Sequence, residues 1–315
     1  MLPNYSILHK QDIFITEKYE PDIRRDELSF LSRSFERHFN ERPYLHHTCY
    51  LFLTKTTKER SRQQSNWNTL CRGFLVPKEI RDKETVERFM EAVGQFESIV
   101  NDSGLVRLER LTTEEITGTE SEPGIIERYL TLSADGTTML QDMQLNPDEM
   151  RIGDKRLCLH TLSDLDDLPG KVRTDGRYER LSTDRADCRL SYAAPVGVML
   201  PCDHIYNQWI FIDDSNENLS RFEKMAKNMQ SLSRYSRSNQ INKEWLDEYL
   251  NEAHSNGLQS VRCHCNIIAW AENGEELRRV KNDVGSALAL MECTPHHNTT
   301  DLPAVFWAGI PGNEA

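Results

Sequence analysis

Residues 47 to 54, HTCYLFLT, are apolar at positions that point to both faces of a strand. Side chains alternate across a strand, so such a run is expected at the centre of a sheet, with both faces covered. The flanking segments supply candidate covers. NYSILHKQDIFI (4 to 15) reads as a strand, and DELSFLSRSFERHF (26 to 39) places Leu28, Leu31, Phe35 and Phe39 on one helical face. A polar, basic stretch, KTTKERSRQQSN (55 to 66), leads to a second strand-like run, WNTLCRGFLV (67 to 76). KETVERFMEAVGQFESIVNDSG (83 to 104) is amphipathic through Val86, Phe89, Met90, Val93, Phe96, Ile99 and Val100, with Gly104 as its stop. LVRLERL (105 to 111) reads as a further strand. The order β-α-β-β-α-β is the split βαβ arrangement of ferredoxin-like domains, and it puts both helices on one face of a four-stranded antiparallel sheet.

Residues 112 to 187 are rich in turn formers, with a short hairpin expected around Gly153-Asp154 in RIGDKRLCLHTL (151 to 162). The second half begins with CRLSYAAPVGVML and the strand IYNQWIFI (205 to 212). Two helices follow. Residues 218 to 236 carry Leu219, Phe222, Met225, Met229 and Leu232, and 242 to 257 carry Trp245, Leu246, Tyr249, Leu250 and Ala253. LQSVRCHCNIIAW (258 to 270) is a strand, and 273 to 293 is the best-marked helix, with Asn273 as N-cap and Glu276 three residues on. A last strand is expected at 303 to 310. The fold class is therefore α+β: two subdomains of antiparallel or mixed sheet with helices on one face. The first, ferredoxin-like with an irregular β extension, spans 1 to 165; a linker spans 166 to 184; the second spans 185 to 315.

Composition narrows the function. A net charge of −12 argues against a general nucleic-acid coat, which needs a basic face to displace phosphate counterions. A mean hydropathy of −0.64 and 28% charged residues indicate a large solvated or partner-facing surface. No apolar run approaches the ~18 residues of a membrane-spanning helix, and no basic segment followed by an apolar core marks a signal peptide. The eight scattered cysteines are expected to be reduced and mostly buried, in a soluble, cytoplasmic chain.

The chemistry-bearing patterns are incomplete. WIFIDD (209 to 214) has the form of a Walker B strand, but no G-x-x-x-x-G-K-[ST] loop precedes it; LPGKV (168 to 172) has Val172 where Ser or Thr is needed. Asp213, Asp214 or Ser215 capping the next helix explains the acids equally well. The terminal AVFWAGIPGNEA (304 to 315) is not a phosphate loop either, since no Lys-Ser, Lys-Thr or helix follows its glycines. Cys263 and Cys265, with Cys293, His296 and His297, suggest zinc, yet C-x-C on a strand is a weak ligand pair. Arg221, Lys224, Lys227, Arg234 and Arg237 make one helix basic, beside an acidic helix with Glu244, Asp247, Glu248 and Glu252. No catalytic, cofactor-binding or metal residue emerges.

Several stretches resemble the TraG-type conjugation ATPases of conjugative transposons, relatives of the type IV secretion ATPases of the CagE/TrbE/VirB family. They are SFLSRSFERHFNERPYLHHTCYLFLTKTTKER (29 to 60), LCRGFLVPKEIRDKETVERFMEAV (70 to 93), RLSTDRADCRLSYAAPVGVML (180 to 200), HIYNQWIFIDDSNENL (204 to 219), QINKEWLDEYLNEAHSNGL (240 to 258) and RVKNDVGSALALMECTPHHNTTDLPAVFWAGIPGN (279 to 313). The resemblance is to the N-terminal half of such proteins. It implies a region that docks a RecA-like motor onto inner-membrane channel proteins and helps a homo-oligomer assemble, reaching the transferred DNA complex indirectly and taking no small-molecule substrate. The ATP and Mg²⁺ sites belong to the motor, so no cofactor is expected on these residues, and AGIPGNEA is expected to be the junction to it in a truncated or excised chain. A nucleic-acid-binding module using 55 to 66 or 218 to 236, and a small Cys/His metal protein, are the alternatives. A location on the cytoplasmic side of the inner membrane, held there through partners, follows from the resemblance.

Overall fold

A computed structural model describes residues 2–19, 29–40, 42–58, 81–133, 141–146, 149–162, 167–170, 172, 176–232 and 235–313. The first strand, β1 (Ser6–Lys18), is buried along both faces over most of its length although it carries His9, Gln11 and Asp12. Helix α1 (Phe30–Phe39) is capped by Ser29, whose side chain accepts the Ser32 N–H, and returns the chain into β2 (Pro43–Lys55). Strands β1 and β2 are antiparallel neighbours in one uninterrupted register from Ser6↔Lys55 to Lys18↔Pro43. A split βαβ unit needs its two strands parallel with another between them, so the ferredoxin-like order is not the one formed here.

Helix α2 (Lys83–Asp102), capped by Asp82, forms where the periodicity places it, but none of its residues is buried. Residues 105 to 111 are irregular rather than a strand, so the sheet expected to receive this helix is not completed. The strand-like run 67 to 76 lies outside the described residues. Two short helices follow, α3 (Thr113–Thr117) and α4 (Ile125–Thr131), then β3 (Met143–Leu145), β4 (Met150–Ile152) and β5 (Lys155–Leu162). The β4–β5 hairpin turns at Gly153-Asp154 as expected, with Gly153 at φ 56°.

A separate two-stranded ribbon pairs β6 (Gly176–Arg177) with β7 (Arg189–Leu190). The main sheet resumes with β8 (His204–Ile212), the helical hairpin α5 (Ser215–Leu232) and α6 (Arg237–Asn256), and β9 (Val261–Ala271). Helix α7 (Gly274–Leu290), strand β10 (His296–Asn298) and helix α8 (Leu302–Ala308) complete the described elements. The expected last strand at 303 to 310 is thus a helix. Pro303 presets the backbone of the first turn, and Leu302 and Phe306, four apart, reach the same buried face.

The strands join in one antiparallel sheet, ordered β2-β1-β8-β9-β5-β4-β3, with β10 also on β5. The α+β class is observed, but strands from either side of 166 to 184 alternate within this sheet, because β1 pairs β8 and β5 pairs β9. That segment therefore does not divide the strands into separate sheets. The expected central strand, β2, lies at an edge, while polar β1 sits inside. Helices pack on both faces rather than one. Leu277, Val280, Val284, Ala287 and Leu288 of α7 cover Cys158, Tyr206, Ile267 and Ala269. On the opposite face Tyr129, Leu132, Leu302 and Phe306 cover Leu157, Leu159, Ile205, Ile268 and Trp270. Among the described residues no helix is long and apolar enough to cross a membrane.

Candidate functional site

The Walker-like acids are structural. Asp214 Oδ1 accepts the Glu217 N–H at 3.1 Å and so caps α5, where a carboxylate also favours the helix dipole. Asp213 is buried and accepts two hydrogen bonds from Arg262, at 2.6 and 3.1 Å, while that guanidinium lies over the Phe211 ring.

The sulfur and imidazole groups do not converge. Among the described residues no three His, Cys, Asp or Glu side chains meet as a metal would need. The described cysteines are free thiols, and Cys263, expected to be buried, is exposed. Cys265 turns to the α7 face and is partly buried, Cys293 contacts the Tyr192 hydroxyl at 3.1 Å, and His296 bonds Asp167 at 2.6 Å. His297 meets His160 edge-on at 5.3 Å.

Register brings together one cluster the sequence gives no hint of, because its members lie on different strands. Asp12 sits opposite Cys49, hydrogen-bonded by Lys10 and, at 2.9 Å, by His47. Burial alone would raise the Asp12 pKa; the bonds from Lys10 and His47 outweigh it and hold the carboxyl below its usual value. The same carboxylate works against a thiolate. Burial, and then Asp12, pushes Cys49 up to about 11, which disfavours its thiolate at neutral pH.

His160 gives a pH test of the core. It is 4% exposed on β5, and its Nδ1 has no partner among the described residues. Burial, with the nearby His297 and Lys281, lowers its pKa to about 4. A histidine harder to protonate folded than unfolded stabilises the fold fully above its unfolded pKa of about 6.5, and that stability is lost as pH falls towards 4. The loss is expected to be on the order of 3 kcal/mol. Urea unfolding from pH 7 to pH 4 should therefore show a fall that His160→Leu flattens; an unchanged slope in that variant would place the acid sensitivity elsewhere.

The remaining surface feature is the α5–α6 hairpin, inserted between two adjacent strands. Its helices pack on each other through Ala226, Leu250 and Ala253, with Phe222 edge-on to Tyr249 at 5.5 Å. Its base is tied down by Asn218, which donates to Ser260 Oγ at 3.0 Å, and α6 ends at Gly257, in the left-handed region at φ 63°. Several large apolar and aromatic side chains stand out among the charged residues of its exposed surface. Tyr235 at the tip is 85% exposed and Trp245 66%, with Met225, Leu232 and Ile241 also exposed. Arg221 and Lys224 line a recess at the base, but Asp213 and Glu217 share it, and Lys58 pairs with Glu217 at 2.8 Å. With Arg262 the recess carries three cationic and two acidic side chains. Arg234 and residues 59 to 66 lie outside the described residues.

Helices α1 and α2 also carry exposed apolar side chains. Phe30, Leu31 and Phe35 of the first and Val86, Met90 and Ile99 of the second are exposed. Neither a scan against models of known protein families nor a search of curated proteins returned a match for this chain.

Proposed function

We propose that this chain is the N-terminal docking and assembly region of a conjugative type IV secretion ATPase, working by protein contact and not by catalysis. The reading rests on the resemblance to TraG-type conjugation ATPases, and one observation supports it above the others. The α5–α6 hairpin holds its own small core and turns Trp245 and Tyr235 into solvent. Exposed Trp and Tyr are among the residue types that dominate binding energy at protein interfaces. The partner in this reading is an inner-membrane channel protein, met on the cytoplasmic side, with further copies of the ATPase alongside. ATP and Mg²⁺ would act in the motor domain of the family, and DNA would be reached through the assembled complex.

The test is made in donor cells carrying the parent element. Trp245→Ala combined with Tyr235→Ala is expected to lower DNA transfer by about tenfold or more, the equivalent of one interface hot spot. Cellular level and melting temperature should stay near wild type, because both side chains are exposed. Undiminished transfer would refute the hairpin's docking role. Specific Mg²⁺-dependent ATP binding by this chain, lost in Asp213→Ala, would refute its non-catalytic character.

A further inference from the structure

The outer edge of β2 is built to pair with another strand. Tyr19 N donates to Arg42 O, and Thr56 N to Tyr5 O, at the two ends of the β1–β2 ladder. The register between them has no bulge, so the even-numbered residues of β2 exchange backbone hydrogen bonds with β1. The odd-numbered ones, Leu45, His47, Cys49, Leu51 and Leu53, direct N–H and C=O away from it. Pro43 agrees with this phase: a proline in a sheet must sit where its missing donor faces outward. Among the described residues no strand pairs with that side.

Long edge strands are ordinarily guarded by charges, bulges or brevity. Between its end residues β2 has none of these. It is 13 residues long, and no Lys, Arg, Asp or Glu occurs between Pro43 and Lys55.

We propose that the occupant of this edge is β2 of a second copy of the chain, antiparallel across a twofold axis at Cys49. This inference stands on the edge alone and does not need the docking reading above. A twofold axis maps an antiparallel edge onto itself, so every outward donor meets an acceptor without any other sequence being required. Centring on Cys49 uses all the outward residues at once. Leu45 then lies opposite Leu53 and His47 opposite Leu51 on one face; His46 faces Phe52 and Thr48 faces Tyr50 on the other. The strand's lack of charge means that no like-charge pair arises, and the aromatic and β-branched pairs are of the kind that stabilise antiparallel ladders. A highly charged foreign strand would find no complement here.

Sedimentation of the full chain between roughly 1 and 100 μM should show a species of twice the 36.6 kDa chain mass. Leu51→Lys and Leu51→Pro should each weaken the dimer by about a hundredfold or more. Far-UV circular dichroism should not change, since residue 51 makes no backbone bond to β1. Hydrogen exchange at Leu45, His47, Cys49 and Leu53 should be slow in the dimer and fast in both variants. If Leu51→Pro does not fold, Leu51→Lys decides alone. A monomer across the whole range, or a dimer that survives these substitutions with fast exchange at those amides, would overturn the proposal.

Discussion

Phe306→Ala is expected to destabilise the fold by about 3–5 kcal/mol, as deletions of fully buried aromatic side chains do. Phe306 is completely buried and stacks on Tyr129 at 4.8 Å, while the Tyr129 hydroxyl donates to the Phe306 carbonyl at 2.7 Å. The two residues clasp α8 to α4 and seal one face of the sheet over Ile268 and Trp270. Tyr129→Phe should cost only about 1 kcal/mol, because the carbonyl keeps its bond from the Gly309 N–H. Deleting 311 to 315 should leave the urea midpoint almost unmoved, whereas deleting 303 to 315 should lower it at least as much as Phe306→Ala. A small effect of Phe306→Ala would mean that α8 contributes little to the core.

The second large effect is expected at Asn207, in a polar row that crosses three buried strands. Its Oδ1 accepts from Gln11 Nε2 and His9 Nε2, both at 3.0 Å, and its Nδ2 donates to Asn266 Oδ1 at 3.1 Å. Asn266 Nδ2 in turn donates to His264 Nε2 at 3.1 Å, which requires a neutral imidazole, and burial lowers the His264 pKa in that direction. Gln11 also donates to the Gly309 carbonyl, linking the row to the end of α8. Asn207→Leu removes the shared acceptor and leaves several buried groups unpaired, at about 1–3 kcal/mol each, so a total of roughly 3–5 kcal/mol is expected. Asn207→Leu with Asn266→Leu should be less damaging than the sum of the two, by about 1–2 kcal/mol, since a matched deletion leaves fewer orphans. Strict additivity would show that the two amides are not coupled.

What could be read from the sequence was what local chemistry decides. Helix α7 was expected from Asn273 and the stripe Leu277, Val280, Val284, Ala287 and Leu288. It forms there, with Asn273 Oδ1 accepting the Glu276 N–H at 2.8 Å. Gly153 and Gly257 mark their turns for the same reason. Strand order is set by pairings between distant segments, and β2 illustrates the result: apolarity on both faces implies a covered strand but not which neighbours it has. The run 302 to 310 is too short for periodicity to separate strand from helix, and the buried face under Leu302 and Phe306 settles it. The Asp12–His47–Cys49 cluster was hidden because it depends on the β1–β2 register, and the Asn207 row because it draws on strands far apart in the chain. One signal did exist. HKQDIFI, NQWIFI and HCNIIAW each carry their amides and histidines at one end and apolar residues at the other, although antiparallel order was needed to align them.

The pairing of β1 with β8 also governs how the chain must be made. On a ribosome, β8 emerges roughly 190 residues after β1, a delay of about 10–40 s at ordinary elongation rates. Throughout that interval the nascent β1–β2 pair has its inner edge open to solvent or to a chaperone. His9, Lys10, Gln11 and Asp12 occupy that edge, and they keep the waiting strand hydrated where leucines would have made it sticky. Polar side chains that look misplaced in the finished sheet are thus suited to the long pause before it closes.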